Sequence, residues 1–94
     1  MSYELKFKEE ALQEWKNLDG SIRELFKKKL RERLENPKVP SAKLRTMSDC
    51  YKIKLKGPGY RLVYQVRDNE LVVVVIAVGK RDKNQVYKIA SSRI

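Results

Sequence analysis

Lys52, Lys54 and Lys56 stand at every second position and alternate with Tyr51, Ile53 and Leu55. In an extended chain, successive side chains point to opposite faces. The run therefore presents three apolar groups on one face and three ammonium groups on the other. Cations held in a row on a strand form a fixed positive surface, which suits a polyanion. Arg61, five residues further on, adds a planar guanidinium that can grip phosphate oxygens through two donors at once. The chemistry open to such a set is charge stabilisation at a phosphate.

The Gly57-Pro58-Gly59 turn tests whether these cations converge. If Lys56–Gly59 form a four-residue loop, Leu55 faces Tyr60 and Lys54 faces Arg61. Ile53 then faces Leu62, Lys52 faces Val63 and Tyr51 faces Tyr64. Directly opposed residues share a face. One face becomes Tyr51, Ile53, Leu55, Tyr60, Leu62 and Tyr64, suited to pack against helices. The other gathers Lys52, Lys54 and Arg61. Like charges opposite one another destabilise a sheet unless something compensates. Solvent screening is one compensation; a bound phosphate chain is the other. Lys80-Arg81 follows Gly79, with Tyr87 six residues later. If the C-terminal segment folds back along the sheet, these can border the same cationic face. The alternative for Tyr87 is simple packing beside Val86 or Ile89. The Lys27-Lys28-Lys29…Arg31…Arg33 run reads as a solvated helix face, with a secondary RNA contact as its alternative.

Composition supports a polyanionic partner. The chain has 94 residues, enough for one small domain spanning 1–94, and a formal charge of +10. Residues 1–50 carry 12 basic and 9 acidic side chains, whereas residues 51–94 carry 10 and 3. An excess of positive charge on one half points to nucleic acid or an acidic partner. No run of about 18 apolar residues is present to span a membrane, and the N-terminus lacks a signal peptide's apolar segment. Cys50 is the sole cysteine and there is no histidine. An internal disulfide is therefore impossible, a reducing cytoplasm fits, and zinc lacks its usual ligands. Ser-His and Cys-His nucleophiles are excluded as well. An enzyme built from this chain works with Lys, Arg, Tyr or carboxylates.

The elements that must position these groups follow from periodicity. Tyr3-Glu4-Leu5-Lys6-Phe7 alternates as a strand. Lys8 to about Leu18 predicts a helix, with Ala11, Leu12, Trp15 and Leu18 on one stripe. Asp19-Gly20 breaks it. Ser21-Ile22-Arg23-Glu24 has capping-box spacing and opens a second helix to about Glu35, burying Ile22, Leu25, Phe26, Leu30 and Leu34. Asn36-Pro37 stops it. Lys43-Leu44-Arg45 is a candidate short strand. Three strands follow, Tyr51–Leu55, Tyr60–Arg67 and Leu71–Val78, with turns at Gly57-Pro58-Gly59 and Asp68-Asn69. The last strand is apolar on both faces, which predicts a central position covered on both sides. Asp82 is a candidate cap for a short C-terminal helix carrying Val86, Tyr87, Ile89 and Ala90. The fold class is α+β: an N-terminal strand, a two-helix hairpin on one face of a largely antiparallel sheet, then sheet strands and the C-terminal helix.

Several segments carry a resemblance. Asp49-Cys50-Tyr51-Lys52-Ile53-Lys54-Leu55, Gly59-Tyr60-Arg61-Leu62-Val63-Tyr64-Gln65-Val66, Val78-Gly79-Lys80-Arg81 and Val86-Tyr87 closely resemble the RelE toxins of RelBE toxin–antitoxin systems, in the RelE/ParE superfamily. The similarity runs over essentially the whole chain, including Leu12…Glu14-Trp15 and Lys43-Leu44-Arg45. It implies a RelE-like fold and a ribosome-dependent messenger RNA endonuclease that cuts the A-site codon in a stress-linked arrest of translation. No metal or other cofactor is implied. The 2′-hydroxyl attacks the adjacent phosphate and leaves a 2′,3′-cyclic phosphate. The family's functional positions fall on Lys52, Lys54, Arg61, Arg81 and Tyr87, with Arg45 as a supporting cation. Lys80, beside Arg81, is expected as a further phosphate contact from its own place in the chain.

The implied partners are a RelB-like antitoxin, the 70S ribosome with its A-site rRNA, and messenger RNA. Operator DNA is implied only for the complex with antitoxin. Superfamily members with a Glu-Arg-His site do not match, because this chain has no histidine. ParE-like members target DNA gyrase and do not keep this Lys/Arg/Tyr set; they and a non-catalytic nucleic-acid-binding module are the alternatives. From residue types, clustered cations lower a lysine pKa by mutual repulsion. Lys54, opposite Arg61, is placed for that and is the candidate base. Lys52 and Arg81 are assigned to the leaving side, Arg61 to the phosphate oxygens, and Tyr87 to stacking on a base.

Overall fold

The computed structural model of the chain describes residues 2–80 and 85–94. Alternation at the N-terminus yields strand β1, Glu4–Phe7. Helices α1 (Glu9–Lys16) and α2 (Gly20–Glu35) follow. Strands β2 (Cys50–Leu55), β3 (Tyr60–Arg67) and β4 (Val72–Lys80) and helix α3 (Gln85–Arg93) complete the order. The four strands form one sheet in the order β1-β4-β3-β2, with β1 parallel to β4 and the other pairs antiparallel.

The predicted β2–β3 register holds at every pair. Leu55 faces Tyr60, Lys54 faces Arg61, Ile53 faces Leu62, Lys52 faces Val63 and Tyr51 faces Tyr64. Gly59 N–H donates to Leu55 O at 2.8 Å and closes the turn. Gly59 has φ 76°, a left-handed conformation that costs glycine little.

Two apolar layers flank the sheet. On one face, Ala11, Leu18, Ile22, Phe26 and Leu30 of the α1–α2 hairpin meet Tyr51, Ile53, Leu55, Leu62, Tyr64, Val73 and Val75. Phe7, Trp15 and Phe26 form a chain of tilted rings with centroids 5.3 and 6.2 Å apart, a favoured aromatic arrangement. On the other face, Val86 and Ala90 of α3 cover Val63, Val74, Ile76 and Ala77, with Met47 and Cys50. Strand β4 lies inside the sheet and is buried on both faces from Val72 to Val78, as its unbroken apolar run predicts.

The β3–β4 ladder contains a register shift. Val63 pairs with Ala77 but Tyr64 pairs with Val75, so Ile76 is an extra residue on β4. A bulge of this kind changes which later side chains share a face. Here it sets Gly79, rather than Val78, opposite Arg61.

Five expectations need correction. The capping box at Ser21–Glu24 does not form, because α2 begins earlier, with Asp19 as its N-cap. Arg23 donates its guanidinium to Leu18 O and Lys16 O, closing the α1–α2 turn before Ser21, and Glu24 pairs with Lys27 instead. Leu25 is 45% exposed and outside the core, since the stripe through Ile22, Phe26 and Leu30 already fills the α2 contact. Lys43-Leu44-Arg45 makes a single bridge, Lys43 to Tyr51, because a 3₁₀ turn at Pro40–Ala42 precedes it and a turn at Arg45 follows. Leu71 lies before β4 in a left-handed conformation (φ 54°) that closes the Asp68–Glu70 turn, and β4 continues past Val78 to Lys80.

Arg33 is the fifth correction. Lys27, Lys28, Lys29 and Arg31 are exposed as a solvated face. Arg33 instead reaches under β2, donating to Lys52 O at 3.1 Å and to the Tyr64 hydroxyl at 2.9 Å. Tyr64 is fully buried, stacks on Tyr51 at 5.7 Å, and donates its hydroxyl to Pro37 O at 2.6 Å. This network ties α2 to the strand that carries the cations. Tyr64→Phe is expected to lower stability by about 1–2 kcal/mol, because the Pro37 carbonyl and Arg33 both lose a buried partner. Urea unfolding measures it; a change within error would make the hydroxyl incidental.

Candidate functional site

Face alternation, fixed by the core on the helix side, turns Lys52, Lys54 and Arg61 onto the α3 side of the sheet. Lys54 is exposed, while Lys52 and Arg61 are half-buried. Arg61 lies between Lys54 on β2 and Gly79 on β4. Gly79 has no side chain to fill the space beside the guanidinium. Val86 of α3 packs there instead; a Cβ on Gly79 would meet its Cγ2 at 3.4 Å.

Helix α3 delivers the aromatic member. The Arg61 guanidinium carbon stands 5.1 Å from the centre of the Tyr87 ring, within cation–π range. Tyr87 is half-buried and also packs against the apolar cluster on that face. Both readings of Tyr87 therefore hold at once: it packs with its helix neighbours, and it borders the cations. Its hydroxyl is buried and lacks a well-formed hydrogen bond among the described residues. Burial raises its pKa above the ordinary tyrosine value, partly offset by the Arg61 charge. The phenol thus stays protonated at neutral pH.

The cation cluster changes the character of Lys54. Its pKa is lowered, first by the Lys52 charge, then by desolvation and by Arg61. The direction agrees with the sequence argument, but the principal neighbour is Lys52, two residues away on the same strand face, rather than Arg61. A lowered pKa leaves a larger neutral fraction at a given pH, and the neutral amine is the form that accepts a proton. Lys54, Lys56, Tyr60 and Arg61 also line a pocket of about 170 Å³ at the end of the hairpin.

Of the remaining expected positions, not all join this centre. Lys80 does not: it ends β4 opposite Tyr60, so alternation turns it to the α1–α2 side of the sheet rather than the cationic face expected for it, and it is exposed. Arg45 is exposed on a turn whose Leu44 and Met47 pack into the same cluster as Val63 and Tyr87, which places that turn on the α3 side. Arg81, and the helix cap expected at Asp82, lie outside the described residues. Sequence reasoning missed Arg33, Glu14 and Arg93 as positioning groups. Their side-chain contacts span 17 to 79 residues of chain and leave no local signal. Cys50 takes no part: it is fully buried, and burial pushes its thiol up to about 11.

Chemically, the arrangement offers guanidinium and ammonium donors for a phosphate, one amine with a lowered pKa, and a protonated phenol, all on one sheet face.

Comparison with known proteins bears on that chemistry. Residues 5–85 match the family model described as the ParE toxin of type II toxin–antitoxin system, parDE. The chain is 56% identical over 94 residues to the mRNA interferase toxin RelE of Escherichia coli strain K12, covering all of this chain and 99% of that one. Its structure is similar to that of an arginine-to-alanine variant of E. coli RelE in the free state, with TM-score 0.92 and 55% identity over 100% and 99% of the two chains. It is also similar to the toxin in the intact E. coli RelBE toxin–antitoxin complex, with TM-score 0.84 and 56% identity over 87% of this chain and 100% of that one.

Proposed function

From the premise that this chain belongs to the ParE-toxin family of type II toxin–antitoxin systems, as one of its RelE-like members, we infer that it is a ribosome-dependent messenger RNA endonuclease. It acts as one RelE-like domain, residues 1–94, and arrests translation by cutting the codon in the ribosomal A site. The observation that carries this reading is the placement of Arg61 between Lys54 and the Tyr87 ring, in a chain 56% identical along its length to a RelE interferase.

The proposed reaction is attack by a ribose 2′-oxygen on the adjacent phosphorus. The P–O5′ bond breaks, leaving a 2′,3′-cyclic phosphate and a 5′-hydroxyl. Lys54 takes the proton from the 2′-hydroxyl or helps to activate it. Lys52 and Arg81 act near the departing 5′-oxygen, which takes up a proton. Arg61, supported by Arg45, holds the non-bridging oxygens as negative charge builds. Tyr87 stacks on a base and fixes the in-line geometry. No strong base is present at such a site, so its rate rests on positioning and electrostatics. The ribosome supplies the RNA conformation, which accounts for the ribosome dependence.

The partners follow from the same reading. A RelB-like antitoxin holds the toxin inactive, as in the RelBE complex to which this chain is similar, and the pair binds operator DNA to repress its own operon. The 70S ribosome and messenger RNA are the targets. The site of action is the cytoplasm; among the described residues, no helix is long and apolar enough to cross a membrane.

Primer extension tests the proposal on a reporter messenger RNA programmed into ribosomes with a defined A-site codon. A stop inside that codon, absent on naked RNA, is the expected result. No stop in either sample, with DNA breakage in cells, would favour the gyrase-directed reading that the ParE description of the family model keeps open. Cutting of naked RNA would mean that the site needs no help from the ribosome.

A further inference from the structure

Strand β1 ends at Phe7, opposite Val75, so among the described residues the β4 edge beyond that point has no strand beside it. Unpaired backbone groups on a partly covered edge are costly. Two side chains meet them here. Glu14 of α1 accepts from Val78 N–H through Oε1 at 3.1 Å, and Arg93 of α3 donates from Nη1 to Ile76 O at 2.9 Å. The two side chains also grip each other: Arg93 Nη1 to Glu14 Oε1 at 2.9 Å and Nη2 to Oε2 at 3.0 Å. Lys8 Nζ adds a bond to Arg93 O at 2.7 Å. Both members are largely shielded, with side-chain exposures of 15% and 29%.

Helix α3 has nine residues and is too short to be stable or to hold an orientation alone. Its placement comes from docking. Val86 and Ala90 supply the apolar part of that docking, and apolar contact is non-directional. The two-pronged Arg93–Glu14 grip is directional, and it fixes the helix in rotation and along its axis. Tyr87 rides on the same helix, six residues before Arg93.

We propose that the Glu14–Arg93 clasp is a positioning device for RNA cutting: by fastening the C-terminal end of α3 to α1 and to the β4 edge, it sets Tyr87 against Arg61. Glu14, Arg93 and Lys8 do not touch the reacting phosphate; they act through Tyr87. The proposal rests on the nuclease reading above for its effect on cutting, but not for the clasp itself.

The test compares wild type, Arg93→Ala, Arg93→Lys, Glu14→Gln, Tyr87→Ala and the Arg93→Ala/Tyr87→Ala pair. Amide exchange on the isolated protein reads the clasp. Arg93→Ala should raise exchange in α3 by at least about tenfold while leaving β3 and β4 protected. Single-turnover cutting on programmed ribosomes reads the positioning. It should fall about ten- to a hundredfold, as small displacements of a reacting geometry do, with half-saturation unchanged. Arg93→Lys, which keeps the charge but not the fork, should fall between. Adding Arg93→Ala to Tyr87→Ala should cost little more. Glu14→Gln keeps an acceptor for Val78 N–H and serves if Arg93→Ala does not fold.

Unchanged α3 exchange would overturn the clasp. Raised exchange with unchanged cutting would overturn the positioning role, and a fully additive double variant would overturn the route through Tyr87. A wild type that cuts nothing on ribosomes would overturn the nuclease reading instead, leaving the clasp to be decided by exchange.

Discussion

Arg61→Ala is expected to slow single-turnover cutting on ribosomes by about 10²–10³-fold, the cost of removing one transition-state donor from a preorganised site. Arg61 is at the centre of the cluster. Lys54 lies beside it across the hairpin, Gly79 beside it on β4, and the Tyr87 ring over it. Truncation therefore removes the proposed bidentate phosphate donor and also the cation against which Tyr87 rests. The side chain lies on the sheet face away from the α1–α2 core, so the core should survive and a stability control should show little change. Arg61→Lys should recover part of the rate, since a lysine keeps the charge but not the planar fork. Near wild-type cutting by Arg61→Ala would sink the assignment of the site. Arg81→Ala carries the same expectation on the strength of the resemblance.

The second large effect concerns Lys54. A general base contributes about 10²–10⁴-fold, so Lys54→Ala should be impaired on that scale. The pH profile separates a base from a docking cation. The active form of a basic lysine is the neutral amine, so the rate should climb with pH and level off below the ordinary lysine value of 10.5. The largest cause of the lowering is the Lys52 charge. Removing that charge in Lys52→Ala lets the Lys54 pKa move back up, and the rising limb should shift to higher pH. In Lys54→Ala the limb should vanish. A Lys54→Ala variant altered only in its salt dependence would make Lys54 a docking cation, and an unmoved limb in Lys52→Ala would mean that another group titrates.

The hairpin register shows why so much of this site can be read from a linear string. Period-two alternation, a Gly-Pro-Gly turn and the rule that opposed residues share a face are all local. Together they place Lys52, Lys54 and Arg61 side by side before any tertiary contact is considered. Helix boundaries are less legible. The Ser21–Glu24 spacing suits a cap, yet Arg23 closes the α1–α2 turn through Leu18 O and moves the helix start to Gly20. Arg33 looks like any other member of a basic helix face. Its actual place, between Lys52 O and the Tyr64 hydroxyl, depends on how α2 crosses β2.

The available chemistry and its first assembly are written in the linear chain: cations without histidine, on one strand pair, facing away from an apolar layer. Local geometry suffices for that, because neighbours in a hairpin are neighbours in the chain. The company this cluster keeps depends instead on how distant elements pack. The extra residue at Ile76 moves Gly79 opposite Arg61, and α3 docks on the second face with Tyr87 over that guanidinium. The Glu14–Arg93 pair, 79 residues apart, closes the bare β4 edge. An unbroken apolar run carries no phase from which a bulge could be located, and a partner that distant is chosen by packing rather than by periodicity.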